Sequence, residues 1–63
     1  MNLKTNVTRR DFHFSVTAEG KDGSIRFFAH TIEAESEEAA RLQLLSFLDS
    51  RSLKPVETRL NDD

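Results

Sequence analysis

An α+β fold, one three-stranded antiparallel sheet with a single helix on one face, is what this sequence predicts. Three observations carry that expectation. Phe12, Phe14, Val16 and Ala18 alternate with polar residues, which is the period of a strand with one apolar face. Gly20-Lys21-Asp22-Gly23-Ser24 then interrupts two such runs with turn residues. A capped helical pattern follows from Ser36, leaving room for one short closing strand at Pro55–Leu60.

Residues 1 to 10 are polar without a clear period and read as a flexible basic arm carrying Lys4, Arg9 and Arg10. The ordered domain is expected over residues 11 to 60, and residues 61 to 63 as a frayed acidic tail. Two turns compete for the hairpin. A two-residue type I′ turn puts Asp22-Gly23 at the tip, whereas a type I turn on Lys21-Asp22 with Gly23 left-handed makes a three-residue loop with a bulge. The hydrophobic pattern decides between them. The three-residue loop sets Phe12 opposite Ile32, Phe14 opposite His30 and Val16 opposite Phe28, so that the apolar face continues across the pair. The alternative turns Ile32 toward the polar face, because a slip of one residue reverses every side chain. The same choice places Ile25, Phe27 and Ala29 on the opposite face, beside Glu19, Thr17 and Ser15.

Ser36 is placed to cap a helix whose first turn holds Glu37 and Glu38, favourably for the helix dipole. Running to about Ser50, this helix carries Ala40, Leu44, Phe47 and Leu48 on one stripe. Leu45 lies at the edge of that stripe and Leu42 lies nearly opposite it. Residues 51 to 54 connect to the last strand, where Pro55 stands first and its missing amide does least harm. The helix returns the chain so that the third strand lies antiparallel beside the first. The expected element order is β–β–α–β and the spatial order 2-1-3, which the right-handed crossover preference favours.

Size and composition narrow the function classes. The 63 residues (7.2 kDa) make one domain that buries only roughly 60% of its unfolded surface, leaving little interior for a preorganised catalytic site. No cysteine is present, which excludes disulfides and thiolate metal sites. Neither an apolar run at Met1–Asn6 nor a stretch of about 20 apolar residues occurs, so a cytoplasmic protein without membrane association is expected. His13 and His30 point to opposite faces, and no set of three converging ligands is expected for a metal. Both glycines belong to the hairpin turn, so there is no phosphate-cradling loop. The expected protein is non-enzymatic and needs no cofactor.

Nine Lys/Arg against eleven Asp/Glu give a net charge of −2, without the basic excess that usually drives nucleic-acid binding. Arg9, Arg10, Arg26 and Arg59 are the candidates for a modest basic strip, with Phe27 as a stacking group. A protein partner fits better. Exposed Ile25 and Phe27 make an apolar patch, and Leu42 and Leu45 a second, smaller one. Ile25 and Phe27 are expected as anchors, Arg26 and Arg59 as orienting charges, and Arg9 and Arg10 as groups that order on binding. The candidate partners are a larger protein, a second copy of the chain, or nucleic acid. The two outer strands also offer edges for strand addition.

Ala34-Glu35-Ser36-Glu37-Glu38-Ala39 at the helix start and Val56-Glu57-Thr58-Arg59-Leu60 in the last strand support one further comparison. With the hairpin–helix–strand layout, they resemble the small phage proteins of T-odd podophages that inhibit host RNA polymerase. The resemblance covers about half the chain. It implies docking on the polymerase jaw through charged residues, with Arg59 as the matching contact. The last strand here has one arginine where that pattern has two, and the helix-to-strand connection lacks its aromatic residues. Compact anti-CRISPR proteins use folds of this kind as well, so the implied function is a phage-type inhibitor of a host transcription or defence machine.

Overall fold

In the computed structural model, which describes residues 8–61, the chain forms β1 (Arg10–Glu19), β2 (Ile25–Ala34), α1 (Glu37–Ser50) and β3 (Lys54–Asn61). The sheet order is β2-β1-β3, and both pairings are antiparallel. This is the α+β, β–β–α–β architecture that the alternation, turn and cap predict.

The hairpin register follows from its turn. Gly23 sits at φ +85°, a left-handed conformation that a side chain would strain. Gly23 N–H donates to Gly20 O at 3.0 Å, and Gly20 N–H donates to Ser24 O at 2.8 Å. This is the three-residue loop, and it sets Phe12 opposite Ile32, Phe14 opposite His30 and Val16 opposite Phe28. Asp22 braces the loop by accepting from Ser24 N–H at 3.0 Å and Ser24 Oγ at 2.7 Å. These two bonds, with a smaller pull from the Arg26 charge, hold the Asp22 carboxyl below its ordinary value.

One face of the sheet is filled. Phe12, Phe14, Val16 and Ala18 of β1 pack with Ile32 and Ala34 of β2 beneath Ala40, Leu44 and Leu48 of α1. Phe28, Phe47, Leu53 and Leu60 close the rim of this core. On the β3 side, Arg41 is the closing residue. Its Nη1 donates to the Thr58 hydroxyl and carbonyl at 3.1 and 3.3 Å, and its guanidinium lies 5.4 Å from the Phe14 ring centroid. Its exposed pair with Glu37 at 2.9 Å is worth little by itself. On the β2 side, Phe47 stacks on His30, with centroids 4.2 Å apart, and meets Phe28 edge-on at 6.4 Å. His30 is thus half-buried at the sheet edge under the helix, as its place opposite Phe14 suggests.

Both ends of the helix are satisfied. Ser36 Oγ accepts from Ala39 N–H at 3.1 Å, as the sequence predicts. The C-terminal end is a Schellman motif that the sequence reading takes only as a connection. Ser52 N–H donates to Asp49 O at 3.0 Å, and Leu53 N–H donates to Leu48 O at 2.9 Å. Ser52 therefore occupies φ 59°, the position usually given to glycine.

Three strand ends differ from expectation. Arg10 is the first residue of β1, paired with Ala34, and not part of an arm; residues 1–7 lie outside the described residues. Asn61 belongs to β3, pairing with His13 and donating to Ser15 Oγ at 2.9 Å; residues 62 and 63 lie outside the described residues. Lys54, not Pro55, begins β3, and the register shifts where Thr17 faces Glu57 but Ala18 faces Pro55. Val56 is the extra residue of this bulge, which together with the outer position of β3 accommodates the proline.

Two substitutions test this packing. Phe14 is fully buried, so Phe14→Ala should cost roughly 3–5 kcal/mol. That is most of the roughly 3–9 kcal/mol available to a domain of this length, and urea denaturation should show a chain largely unfolded or close to it. Ser52→Gly relieves the left-handed strain and should raise stability by about 1 kcal/mol in the same assay; a loss would contradict the assigned helix end.

Candidate functional surfaces

The uncovered face of the sheet is ordered in rows by the two registers. Across β2, β1 and β3 these rows are Ile25–Glu19–Lys54, Phe27–Thr17–Glu57, Ala29–Ser15–Arg59 and Thr31–His13–Asn61. Its far end is tied by polar contacts: His13 Nδ1 lies 2.8 Å from Thr31 Oγ1, and Asn61 bonds Ser15. Its hairpin end is different. Phe27 is 76% exposed and Ile25 50% exposed, and with Ala29 they make an apolar stripe along β2. The β3 side of the same face carries Lys54, Glu57 and Arg59. Arg59 stands two strands and one row from Phe27, about 12 Å away by sheet geometry.

Ile25, Phe27 and Arg59 therefore share the face on which they were expected. Arg26 does not. It pairs with Ala18, whose side chain is fully buried on the helix side, and it borders a groove with Phe28 and Phe47 on that side. Strand alternation separates it from its two sequence neighbours. Arg10 is also on the helix side, with its guanidinium 5.0 Å from the Phe12 ring centroid. The Arg10 and Arg26 pairings stand eight residues apart along β1, about 27 Å. Arg9 is exposed just before β1. The four arginines thus form no continuous strip.

Leu42 and Leu45, 64% and 44% exposed, lie one turn apart on α1. They form a separate patch on the helix layer, across the molecule from Phe27. The sequence reading missed Val56, which the bulge leaves exposed. It also missed a groove of about 570 Å³ on the helix side, bordered by the hairpin turn, β2 and the C-terminal end of α1. Its lining includes Lys21, Arg26 and Arg51. The signal for it lay in the topology, since a helix returning from Ala34 must end above the hairpin.

Among the described residues, no three His, Cys, Asp or Glu side chains cluster to hold a metal, and no helix is long and apolar enough to cross a membrane. No protein family, curated protein or solved structure matches this chain.

Phe27 makes no contribution to the packed core, so Phe27→Ser should change stability by no more than about 0.5 kcal/mol. Calorimetry of the two proteins checks this directly, and a loss of several kcal/mol would mean that Phe27 is buried.

Asp22 yields a pH prediction with a defined sign. Its carboxyl is held below the ordinary value of 3.8 in the folded chain. The stabilisation is complete above the unfolded value and is lost as pH falls through the folded one. Asp22→Ala should remove that part of the acid-side stability loss, as read from thermal melts between neutral pH and pH values below 3.8.

Proposed function

We propose that this chain is a non-catalytic protein-binding module that docks on a larger partner through its open sheet face. The observation that supports the reading most is Phe27, a large aromatic side chain left in solvent beside Ile25 on the face that no helix covers among the described residues. Leaving such a stripe exposed forgoes burial worth roughly 1.5–3 kcal/mol per large apolar side chain, which a partner recovers. Ile25 and Phe27 are the anchors, and Arg59 on the same face orients the encounter. Glu57 and Lys54 beside it limit the partner to a surface of mixed charge. Arg26 and Arg10 take no part in this face. Leu42 and Leu45 are left as a second contact on the other layer.

The partner class is that of the phage-type inhibitor resemblance, a component of a host transcription or defence assembly in the cytoplasm. A net charge of −2 and the dispersal of the arginines favour protein over nucleic acid. The outer edge of β2, ten residues without proline, offers strand addition as a supplement to face docking.

Affinity capture from nuclease-treated bacterial lysate, run beside light scattering on the pure protein, tests the reading. One stoichiometric partner should be retained, and Phe27→Ser with Arg59→Glu should abolish its recovery while leaving the fold intact. Retention by the double variant would overturn the assignment of the face. A solution mass near 14 kDa, twice 7.2 kDa, with no captured protein would replace docking by self-association. Binding to nucleic acid that weakens steeply with salt would replace it by a nucleic-acid function.

A further inference from the structure

We infer that the groove at the hairpin end of the helix side is a second binding site, one that takes an extended acidic peptide segment bearing an apolar side chain. The site does not depend on the open-face reading, because it lies on the opposite side of the sheet from Phe27.

The groove is assembled from three separate parts of the chain. Lys21 and Asp22 come from the turn, Arg26 and Phe28 from β2, and Phe47, Arg51 and Leu53 from the end of α1 and the residues after it. It is a solvent-open groove of about 570 Å³, wide enough to receive a few side chains along its length. Half-buried Phe28, Phe47 and Leu53 supply an apolar floor. Around it stand three cations and one carboxylate, a local excess of positive charge in a chain whose net charge is −2.

The cations lack a carboxylate partner among the described residues, although Arg51 lies over the Phe47 ring and Arg26 is near enough to Asp22 to lower its carboxyl slightly. Among the described residues, none of Lys21, Arg26 and Arg51 makes an ion pair, whereas Asp22 is held by its two bonds to Ser24. Each cation has a local use: Arg51 faces the negative end of the helix dipole, Arg26 guards an edge strand, and Lys21 solvates a turn. Their convergence over one apolar floor answers none of those needs. It is the complement of a carboxylate-bearing group with an apolar body.

A peptide fits better than a nucleic acid. The Phe47 ring is stacked on His30 at 4.2 Å and has the Arg51 guanidinium 5.1 Å from its centroid, so it is not free to receive a base. The β2 strand that contributes Arg26 and Phe28 has an outer edge unpaired among the described residues, which offers backbone partners to an extended chain.

Nuclear magnetic resonance on the isotope-labelled full chain tests this with the capped peptide acetyl-Asp-Glu-Phe-Glu-Asp-amide as probe. Saturable shifts should appear at the amides of Lys21, Arg26, Phe28, Arg51 and Ser52, and should weaken with salt. Replacing the probe's Phe with Ala, or its acids with Lys, should reduce affinity about tenfold or more. Arg26→Glu and Lys21→Glu, both at exposed positions, should each do the same. Phe27→Ser should leave the titration unchanged. No shifts at millimolar peptide, equal binding of the Ala or Lys probe, or shifts confined to Ile25, Phe27 and Ala29 would each overturn the site. Tighter binding of an eight-residue oligothymidylate at the same amides would overturn the peptide assignment.

Discussion

The register of the β1–β2 hairpin is the constraint on which every other feature of this protein rests. It is set by a loop of three residues whose last, Gly23, adopts a left-handed backbone at φ +85°. With that loop the apolar residues of β1 face those of β2 on a single side, and the helix has a surface to cover. A slip of one residue would send Ile32 and Phe28 to the polar face and bring Phe27 under the helix. The bonds from Ser24 to Asp22 hold the loop in the shape that excludes this slip.

One helix can cover only one face, and this shortage of chain shapes both candidate surfaces. Above the sheet, Leu44 and Leu48 fill the centre, while Arg41 seals the β3 flank and Phe47 the β2 flank. The two flanking residues behave differently at the surface. Arg41 spends its donors on Glu37 and Thr58, closing the edge. Phe47 leaves a groove beside it, because the helix ends at Ser50 and the chain turns through Ser52 before reaching β3. Below the sheet, none of the described residues lies over Phe27 and Ile25, whose exposure follows directly from the register that builds the core.

Most of the fold was legible in the sequence because it depends on patterns with a strict period. Alternation over Phe12–Ala18, the Gly20–Gly23 turn and the Ser36 cap are local signals, and tertiary contacts reinforce each of them. What escaped was local structure without its usual residue. Ser52 stands where a helix end normally shows glycine, so the Schellman motif left no mark in the sequence. The bulge at Val56 is a pairing irregularity that only the partner strand reveals. At the candidate interface, adjacency along the chain groups Arg26 with Ile25 and Phe27. Strand alternation places it on the opposite face, where it joins Lys21 and Arg51 instead. Arg51 could not be read as a neighbour of Arg26 without knowing how the end of α1 sits over the turn.

The most direct measurement is solvent paramagnetic relaxation of the aromatic ring protons in the pure protein at dilute concentration. The register requires strong relaxation of the Phe27 ring and protection of the Phe12 and Phe14 rings, with Phe28 and Phe47 intermediate. A protected Phe27 ring would contradict the open face, either because the hairpin is slipped or because a second copy already covers it.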